Sequence, residues 1–376
     1  MSGIYIHIPF CKQQCNYCDF HFSTSLKTKE DLLNALIREM KIQSSFLTGT
    51  KIRTIYFGGG TPSLLSQDEI KALFNALNQN FMLDNVEEIT MEANPDDLTE
   101  QKVKELKNTP VNRFSIGVQS FQAKDLEYMN RAHDVHQAHD SIKRVQDAGW
   151  ENISIDLIYG TPTLNHEEWQ ENMQTVIDIN VPHLSAYALT VEEKTPLNNA
   201  IKKGKQLPLD EDKSIVQFEM LMDFIPKHGL EQYEISNFAK KGYKAKHNGS
   251  YWTDEKYLGL GPSAHSFDGE KRIWNISNNI QFIKSIKKGQ LNNDYELLSQ
   301  EQRFNEYVLT SLRTKTGCDL DYIKSRFSPF FVDFLTFSVK KWLKNGEIEQ
   351  KGSFFMLTKK GKLVADWVAS ELFFIS

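Results

Sequence analysis

The sequence predicts a parallel α/β fold, with a sheet that is open or curled into a partial barrel, followed by a small C-terminal helical domain. Short β-branched or aromatic runs alternate with longer amphipathic segments over residues 1–190, with a period of about 30 to 35 residues, as repeated βα units do. From about residue 295, helical patterns lead into an extended segment with a central turn and then into a closing helix. This order resembles a winged helix, a frame that serves for packing as well as for binding DNA.

Six strands are predicted in the first part of the chain, at residues 3–9, 54–60, 87–95, 113–120, 152–160 and 183–190. Amphipathic segments such as EDLLNALIREMKIQSSFL and EEWQENMQTVIDI lie between them and carry apolar residues at helical spacing. Six βα units are too few to close a full eight-stranded barrel. We therefore expect a (β/α)6 core at residues 1–190.

The alternation stops after residue 190. An extension over residues 191–294 combines a predicted helix at 211–227 with long glycine- and asparagine-rich loops, which suit a functional region. Residues 295–376 form the predicted winged-helix-like domain, with a hairpin turn at residues 351–352.

Composition describes a water-soluble globular chain of 376 residues, with 40% hydrophobic and 25% charged residues and a formal net charge of −5 at pH 7. No global basic field favours nucleic acid as the main partner. The N-terminal apolar run is short and is interrupted by His7 and Pro9, so we expect no signal peptide and a cytoplasmic location. In a reducing compartment, clustered cysteines indicate a metal or redox site rather than a disulfide framework.

Three of the four cysteines, Cys11, Cys15 and Cys18, follow the first predicted strand within one short loop. A structural zinc ion would need a fourth ligand, and His7 or His21 could supply it. An iron–sulfur cubane held by three cysteines would instead leave one iron without a protein ligand. The spacing leaves both interpretations open.

The segment CKQQCNYC matches the CxxxCxxC signature of the radical S-adenosylmethionine (SAM) enzymes, and the chain resembles that superfamily. The resemblance implies a partial (β/α)6 TIM-like radical SAM barrel, with a [4Fe-4S] cluster on Cys11, Cys15 and Cys18 and SAM on the open iron. The segment GGGTP at residues 58–62 follows the second strand, where the family motif meets SAM.

The chain is similar to the oxygen-independent coproporphyrinogen oxidases and their relatives over most of its length. Polar residues at or after strand ends could each cap a helix, but the resemblance implies that they contact SAM. A carboxylate could bind ribose hydroxyls or an ammonium group, and an arginine could pair with a carboxylate. The implied SAM contacts are Tyr5, Tyr17, Gly59, Gly60, Thr61, Glu92, Gln119, Arg131 and Asp156.

Two local features favour one branch of this superfamily. The decarboxylating enzymes carry a fourth cysteine two residues after the third, where this chain has Phe20. Residues 247–252, HNGSYW, match the HNxxYW motif of the HemW-type heme chaperones, in which the histidine is associated with heme binding. The resemblance thus implies His247 as a heme ligand, against the simpler interpretation that this histidine holds a loop, as we expect of His265.

The predicted function is heme delivery to acceptor hemoproteins such as membrane respiratory enzymes, through peripheral membrane contact and with homodimer formation left open. The alternative is an oxygen-independent coproporphyrinogen III oxidase that decarboxylates propionate side chains. The remaining cysteine, Cys318, is predicted to be a small buried hydrophobic residue.

Overall fold

A computed structural model describes residues 2–253 and 255–375 of the chain. The strands are β1 (Ser2–Ile8), β2 (Ile52–Gly59), β3 (Glu88–Ala93), β4 (Arg113–Gln119), β5 (Ile153–Tyr159), β6 (His183–Ala188), β7 (Glu231–Gln232), β8 (Asn237–Ala239), β9 (Tyr257–Leu260), β10 (His265–Phe267), β11 (Lys271–Asn275), β12 (Asn293–Leu297), β13 (Cys318–Asp319), β14 (Ile348–Lys351) and β15 (Phe354–Leu357). The helices are α1 (Lys29–Ile42), α2 (Gln67–Asn80), α3 (Glu100–Leu106), α4 (Ala123–Tyr128), α5 (Val135–Asp147), α6 (His166–Ile179), α7 (Pro196–Lys202), α8 (Glu211–Phe224), α9 (Lys246–Ser250), α10 (Asn279–Lys287), α11 (Gln300–Arg313), α12 (Leu320–Arg326), α13 (Pro329–Ser338), α14 (Lys340–Asn345), α15 (Lys359–Lys362) and α16 (Ala365–Glu371).

The parallel α/β prediction is confirmed, and each of the six predicted strands corresponds to one of β1 to β6. These strands pair in sequence order and all run parallel. Parallel sheets are covered on both faces, and the strands accordingly read as apolar runs. In β1, for example, Ile4, Ile6 and Ile8 are fully buried.

Helix starts between the strands follow local capping rules. Ser66, Asp134 and Asn165 form capping boxes at the beginnings of α2, α5 and α6, where side chain and backbone satisfy each other's free donors.

Because β1 to β6 all run parallel, their carboxyl ends meet at one edge of the sheet, where parallel α/β folds place their sites.

The segment between residues 191 and 294 adds strands to both sides of this sheet. Strand β8 pairs antiparallel with β6, whereas β9 pairs parallel with β1 and continues through β10 and β11 to β12. Within the described residues the sheet order is β12-β11-β10-β9-β1-β2-β3-β4-β5-β6-β8-β7.

The C-terminal part has a hydrophobic cluster of its own, which includes Phe304, Trp342 and Leu372. Its helices lead into the hairpin of β14 and β15, whose turn lies at residues 352–353, one position beyond the predicted 351–352, and α16 closes the chain. Strand β13 joins the far side of the hairpin. Of the helices in the described part of the chain, none has both the length and the apolar character needed to cross a bilayer.

Candidate functional site

A cavity of about 440 Å³ lies at the carboxyl ends of the parallel strands. It collects most of the site residues that the sequence predicts. Those that line it are Cys11, Cys15, Cys18, Tyr17, Gly59, Gly60, Thr61, Glu92, Gln119, Arg131 and Asp156. These side chains come from the first five βα units, so the topology itself brings them together.

The cysteine loop follows β1 and is held by backbone hydrogen bonds at its base. The Cys11 N–H donates to the Ser23 carbonyl over 3.0 Å, and the Ser23 N–H donates to the Pro9 carbonyl over 2.8 Å. All three loop cysteines are free thiols. Burial raises the pKa of Cys11 and raises that of Cys18 to about 11. A metal centre on this loop must therefore displace thiol protons as it binds.

The two histidines that could complete a zinc site are engaged elsewhere. The His7 ring lies between the Tyr5 hydroxyl, 3.0 Å from Nδ1, and the His21 carbonyl, 2.9 Å from Nε2. The His21 Nε2 lies 2.7 Å from the Asn279 Oδ1. Neither imidazole lines the cavity. Among residues 2–253 and 255–375, no three His, Cys, Asp or Glu side chains are placed to hold a single metal ion.

The glycines after β2 are required first by the protein's own packing. A Cβ on Gly59, which has φ 110°, would lie 2.5 Å from the His7 ring, and one on Gly60 would lie 2.6 Å from the Phe10 carbonyl oxygen. Both residues also line the cavity. Glycine at these positions thus lets β2 and the cysteine loop approach each other closely, which brings the loop to the cavity.

Arg131 ties the cysteine loop to the sheet. Its Nη1 donates to the Cys15 Sγ over 3.1 Å, and its Nη2 donates to the Asn94 Oδ1 over 2.9 Å and to the Gly117 carbonyl over 2.7 Å. Its buried Nε has no acceptor among the described residues. The guanidinium therefore places a positive charge and an unused donor beside the thiols.

Two half-buried carboxyl groups face the same cavity. Glu92 accepts hydrogen bonds from the Tyr56 hydroxyl over 2.8 Å and from the Gly59 N–H over 3.1 Å. The Asp156 carboxyl accepts from the Ser115 hydroxyl at 3.2 and 3.3 Å. Desolvation raises the pKa of both groups, that of Glu92 to about 7. Each carboxyl retains acceptor capacity toward a polar or cationic ligand.

Gln119 reaches the cavity because the strand is irregular where it ends. The pairing of β4 with β5 shifts register between Ile116 and Gln119, and Gln119 itself adopts a left-handed backbone with φ 67°. A non-glycine residue in this conformation carries strain, and such residues cluster at functional sites.

Tyr5 lies outside the cavity lining. Its ring stacks with those of Tyr56 and His247 at centroid distances of 6.1 and 6.5 Å, and a Cβ on Gly58 would meet it at 2.9 Å. The structure therefore places Tyr5 beneath the site, supporting Tyr56 and His7, rather than in the cavity wall.

His247 is buried, with 1% of its surface exposed, and it lines neither the cavity described above nor a second one near the C-terminal helices. Its Nδ1 lies 2.8 Å from the Thr54 Oγ1 and its Nε2 lies 3.0 Å from the Tyr251 hydroxyl. Its backbone N–H donates to the Glu88 carboxylate over 2.9 Å. Both ring nitrogens are thus engaged by protein groups, as in a histidine that holds a loop, and direct ligation of heme iron by His247 stays a prediction that would require one of these contacts to open.

Sequence reasoning missed several lining residues. Asn94 bridges Arg131 and the Thr61 hydroxyl, and Tyr56 contacts Glu92. Both occupy positions within or directly after a predicted strand, which was the available signal. Asn248, inside the HNxxYW motif, lines the cavity in place of its histidine neighbour.

Comparison with known proteins adds to this geometry. The family model described as the Radical SAM superfamily matches residues 5–176. The chain is 36% identical over 376 residues to the heme chaperone HemW of Bacillus subtilis (strain 168), and the match covers 98% of each chain. It is 35% identical over 330 residues to the heme chaperone HemW of Lactococcus lactis subsp. lactis (strain IL1403), which covers 88% of this chain and 86% of the relative.

Among solved structures, coproporphyrinogen III oxidase (HemN) from Escherichia coli, described as a radical SAM enzyme, has a TM-score of 0.85 to this chain. The superposition covers 99% of this chain and 89% of that one at 21% sequence identity. The two chains therefore share a fold over nearly their whole length.

Proposed function

The chain belongs to the radical SAM superfamily and, within it, to the family of the HemW heme chaperones, and we propose that it binds heme and delivers it to acceptor hemoproteins. The observation that carries this proposal is the 36% identity to a heme chaperone across 98% of both chains. The shared fold with a coproporphyrinogen oxidase does not decide between the two activities, because fold alone does not determine function.

Phe20 supports the chaperone over the decarboxylase. It occupies the position of the additional cysteine that the decarboxylating enzymes carry, and 69% of its surface is exposed at the cavity. A phenylalanine cannot ligate metal or exchange protons. The exposed ring instead offers an apolar surface at the open side of the site.

The residues of the cavity fit a cluster and SAM. Cys11, Cys15 and Cys18 are free thiols on one loop, which suits a cluster with one iron open to another ligand. The unused Nε of Arg131 and the carboxyl groups of Glu92 and Asp156 suit the charged and hydroxyl groups of SAM. When bound, the cluster would supply an open iron for SAM and one-electron chemistry.

In this proposal the protein holds those groups through fixed donors and acceptors. Arg131 restrains Cys15 and leaves its Nε for an anionic partner. Glu92 is held in place by the Tyr56 hydroxyl and the Gly59 N–H. Such preorganised side chains bind and orient a ligand at low entropic cost.

We place heme transfer in the cytoplasm, with respiratory hemoproteins as acceptors and peripheral contact with the membrane. This placement is consistent with the clustered cysteines, which suit a metal centre rather than a disulfide framework. A homodimer remains part of the proposal, to be measured by light scattering of the cluster-loaded protein with and without heme.

The test uses anaerobically reconstituted protein with SAM and a reductant. We expect stoichiometric uptake of heme and its transfer to an apo-hemoprotein, followed by the absorption of the acceptor. With coproporphyrinogen III as substrate, we expect no protoporphyrinogen above a no-enzyme control. Multiple turnovers of decarboxylation would assign the chain to the oxidase instead, and a protein that takes up no heme would remove the chaperone function.

A further inference from the structure

A second cavity, of about 800 Å³, lies between the edge of the large sheet and the C-terminal helices. Strands β9 to β11 form one wall, and α11 and α12 form the other. Its volume is in the range of about 300 to 1,000 Å³ that is typical of binding sites for small molecules and cofactors.

One face of the sheet edge supplies an aromatic wall. His265 is paired with Trp274 across β10 and β11, and Phe267 is paired with Arg272, so these four side chains share a face. Tyr257 of β9 is paired with Phe267 and joins them. The opposite wall contributes aromatic residues too, namely Tyr307, Tyr322 and Phe327. Two facing aromatic walls suit a flat, apolar ligand.

The charge of the cavity is positive. Among the described residues, its lining contains three arginines, Arg272, Arg303 and Arg326, against a single carboxylate, Glu306, which pairs with Arg272 at 3.0 Å. Arg303 forms no ion pair within the described residues. This balance suits a ligand that carries two negative charges.

Two buried donors in the walls lack acceptors among the described residues. They are the Nε of Arg272 and the indole Nε1 of Trp252. Buried N–H groups are almost always hydrogen-bonded in native proteins, so an unsatisfied pair in a cavity wall points to a ligand with acceptor oxygens.

His265 is the available imidazole in this cavity. Its side chain is solvent-exposed and its ring forms no hydrogen bond within the described part of the chain, so the expectation that His265 holds a loop by hydrogen bonds is wrong; its ring contact is with Trp274 at 6.3 Å. Desolvation, aided by Arg272, lowers the pKa of His265. The shift favours the neutral ring, which is the form that ligates iron.

We propose that this second cavity is the heme site, with His265 as the axial ligand of the iron and with Arg303 and Arg272 binding the two propionates. The inference rests on the proposed function, and it assigns that function's cargo to a place distinct from the SAM cavity. The aromatic walls contact the faces of the macrocycle, and the unpaired donors meet its carboxylates.

The segment 246–253 lies between the two cavities. Asn248 lines the SAM cavity, while Tyr251 and Trp252 line the second one. His247 holds this segment against the sheet through Thr54. In this assignment the HNxxYW motif supports heme binding by forming part of the cavity wall.

The experiment titrates the full-length, cluster-reconstituted protein with hemin and follows the Soret band against a protein blank. His265→Ala is expected to weaken hemin binding at least about tenfold and to remove the magnetic circular dichroism signature of imidazole ligation. Added imidazole should restore that signature. His136→Ala, at another exposed histidine, serves as the matched control and should behave like the wild type.

Two outcomes separate this inference from the proposed function. If the wild type binds hemin and His265→Ala binds it with unchanged affinity and spectrum, the axial assignment is overturned while the chaperone function stands. If the wild type binds no hemin, both are overturned. Thermal melts establish that the variant is folded, as expected for a side chain without hydrogen bonds.

The propionate contacts are tested with Arg303→Gln and with hemin dimethyl ester. The ester should bind the wild type about fivefold to tenfold more weakly than hemin, and Arg303→Gln should lower hemin affinity while changing ester affinity less. Arg38→Gln, at an exposed arginine of α1, is the control. Equal losses for hemin and its ester would overturn the role of Arg303.

Discussion

At the residue scale, Glu92 shows how burial prepares a side chain for a ligand. Its carboxyl is held by the Tyr56 hydroxyl and the Gly59 N–H, and burial raises its pKa to about 7. Because the Glu92 carboxyl is already largely desolvated in the protein, covering it with SAM, as we propose, would cost little additional hydration free energy. The remaining acceptor capacity is then available to the ligand.

We expect Glu92→Gln to weaken SAM binding about tenfold, because the amide keeps the shape of the carboxyl but loses a charged acceptor worth about 1.5 kcal/mol or more. Equilibrium dialysis of the cluster-loaded protein measures the SAM affinity. Glu127→Gln, at an exposed glutamate of α4, is the control. Iron content should match the wild type in both variants. Unchanged SAM affinity in Glu92→Gln would remove Glu92 from the proposed SAM site.

At the scale of single elements, α9 owes its position to hydrogen bonds from distant strands. Its His247 contacts Thr54 of β2, and the backbone N–H groups of Lys246 and His247 donate to Glu88 of β3. A five-residue helix has little stability of its own. These tertiary contacts therefore determine where the segment lies.

His247→Ala should lower the free energy of unfolding by about 2 to 4 kcal/mol, since it removes two buried hydrogen bonds and leaves a cavity. Chemical denaturation measures this change. Once folded, the variant should keep the imidazole-ligated heme spectrum that His265 supplies. Loss of that spectrum at full stability would instead support direct ligation by His247.

Helix α1 carries a buried acid that links it to the sheet edge. Glu39 accepts from the Gly261 N–H and the Asn275 amide, each over 2.7 Å, and from Gln43 over 3.2 Å. Desolvation raises the pKa of Glu39 to about 7. Because the unfolded chain ionises this group first, the stability that it contributes is present below about pH 4.5 and is lost as the pH rises through about 7.

We therefore expect the wild type to lose about 2 to 3 kcal/mol of stability relative to Glu39→Gln between pH 4.5 and pH 7.5. Denaturant titrations of both proteins across this range give the difference. Parallel pH profiles for the two proteins would contradict the raised pKa of Glu39.

At the scale of the whole molecule, the hydrophobic cluster of the large sheet meets that of the C-terminal helices. Ile235 packs against both clusters. Its N–H donates to the Arg313 carbonyl over 3.0 Å, and the Lys315 N–H donates to the Tyr233 carbonyl over 2.9 Å. The proposed SAM cavity belongs to the large sheet, whereas the proposed heme cavity is shared between the sheet and the C-terminal helices.

Ile235→Ala should therefore weaken heme binding about threefold to tenfold while leaving SAM binding and iron content unchanged, because Ile235 packs against the C-terminal cluster and is bonded to the end of α11, a helix that lines the second cavity. Hemin titration and SAM dialysis on the same preparation measure the heme affinity and the SAM affinity of the variant. Equal losses of both ligands would show that the contact supports the whole fold rather than the shared cavity.

Local patterns predicted the parallel strands and the cysteine loop well, since βα periodicity and motif spacing are properties of short stretches. They did not predict β9, a four-residue strand that pairs with β1 from more than 240 residues away. Nor did they separate Tyr5 from the residues that line the cavity. The burial of a side chain depends on the residues that pack over it, and those residues come from remote parts of the chain.

The sequence by itself determined the sheet, the thiol-bearing loop after its first strand and the family to which the chain belongs. Only the tertiary structure decided which histidine is available to a ligand. His247 and His265 both stand in glycine-containing segments, yet His247 meets Thr54 from 193 positions away and is satisfied, whereas His265 is exposed in a cavity wall. Hydrogen-bond satisfaction depends on long-range packing, which spacing along the chain does not encode.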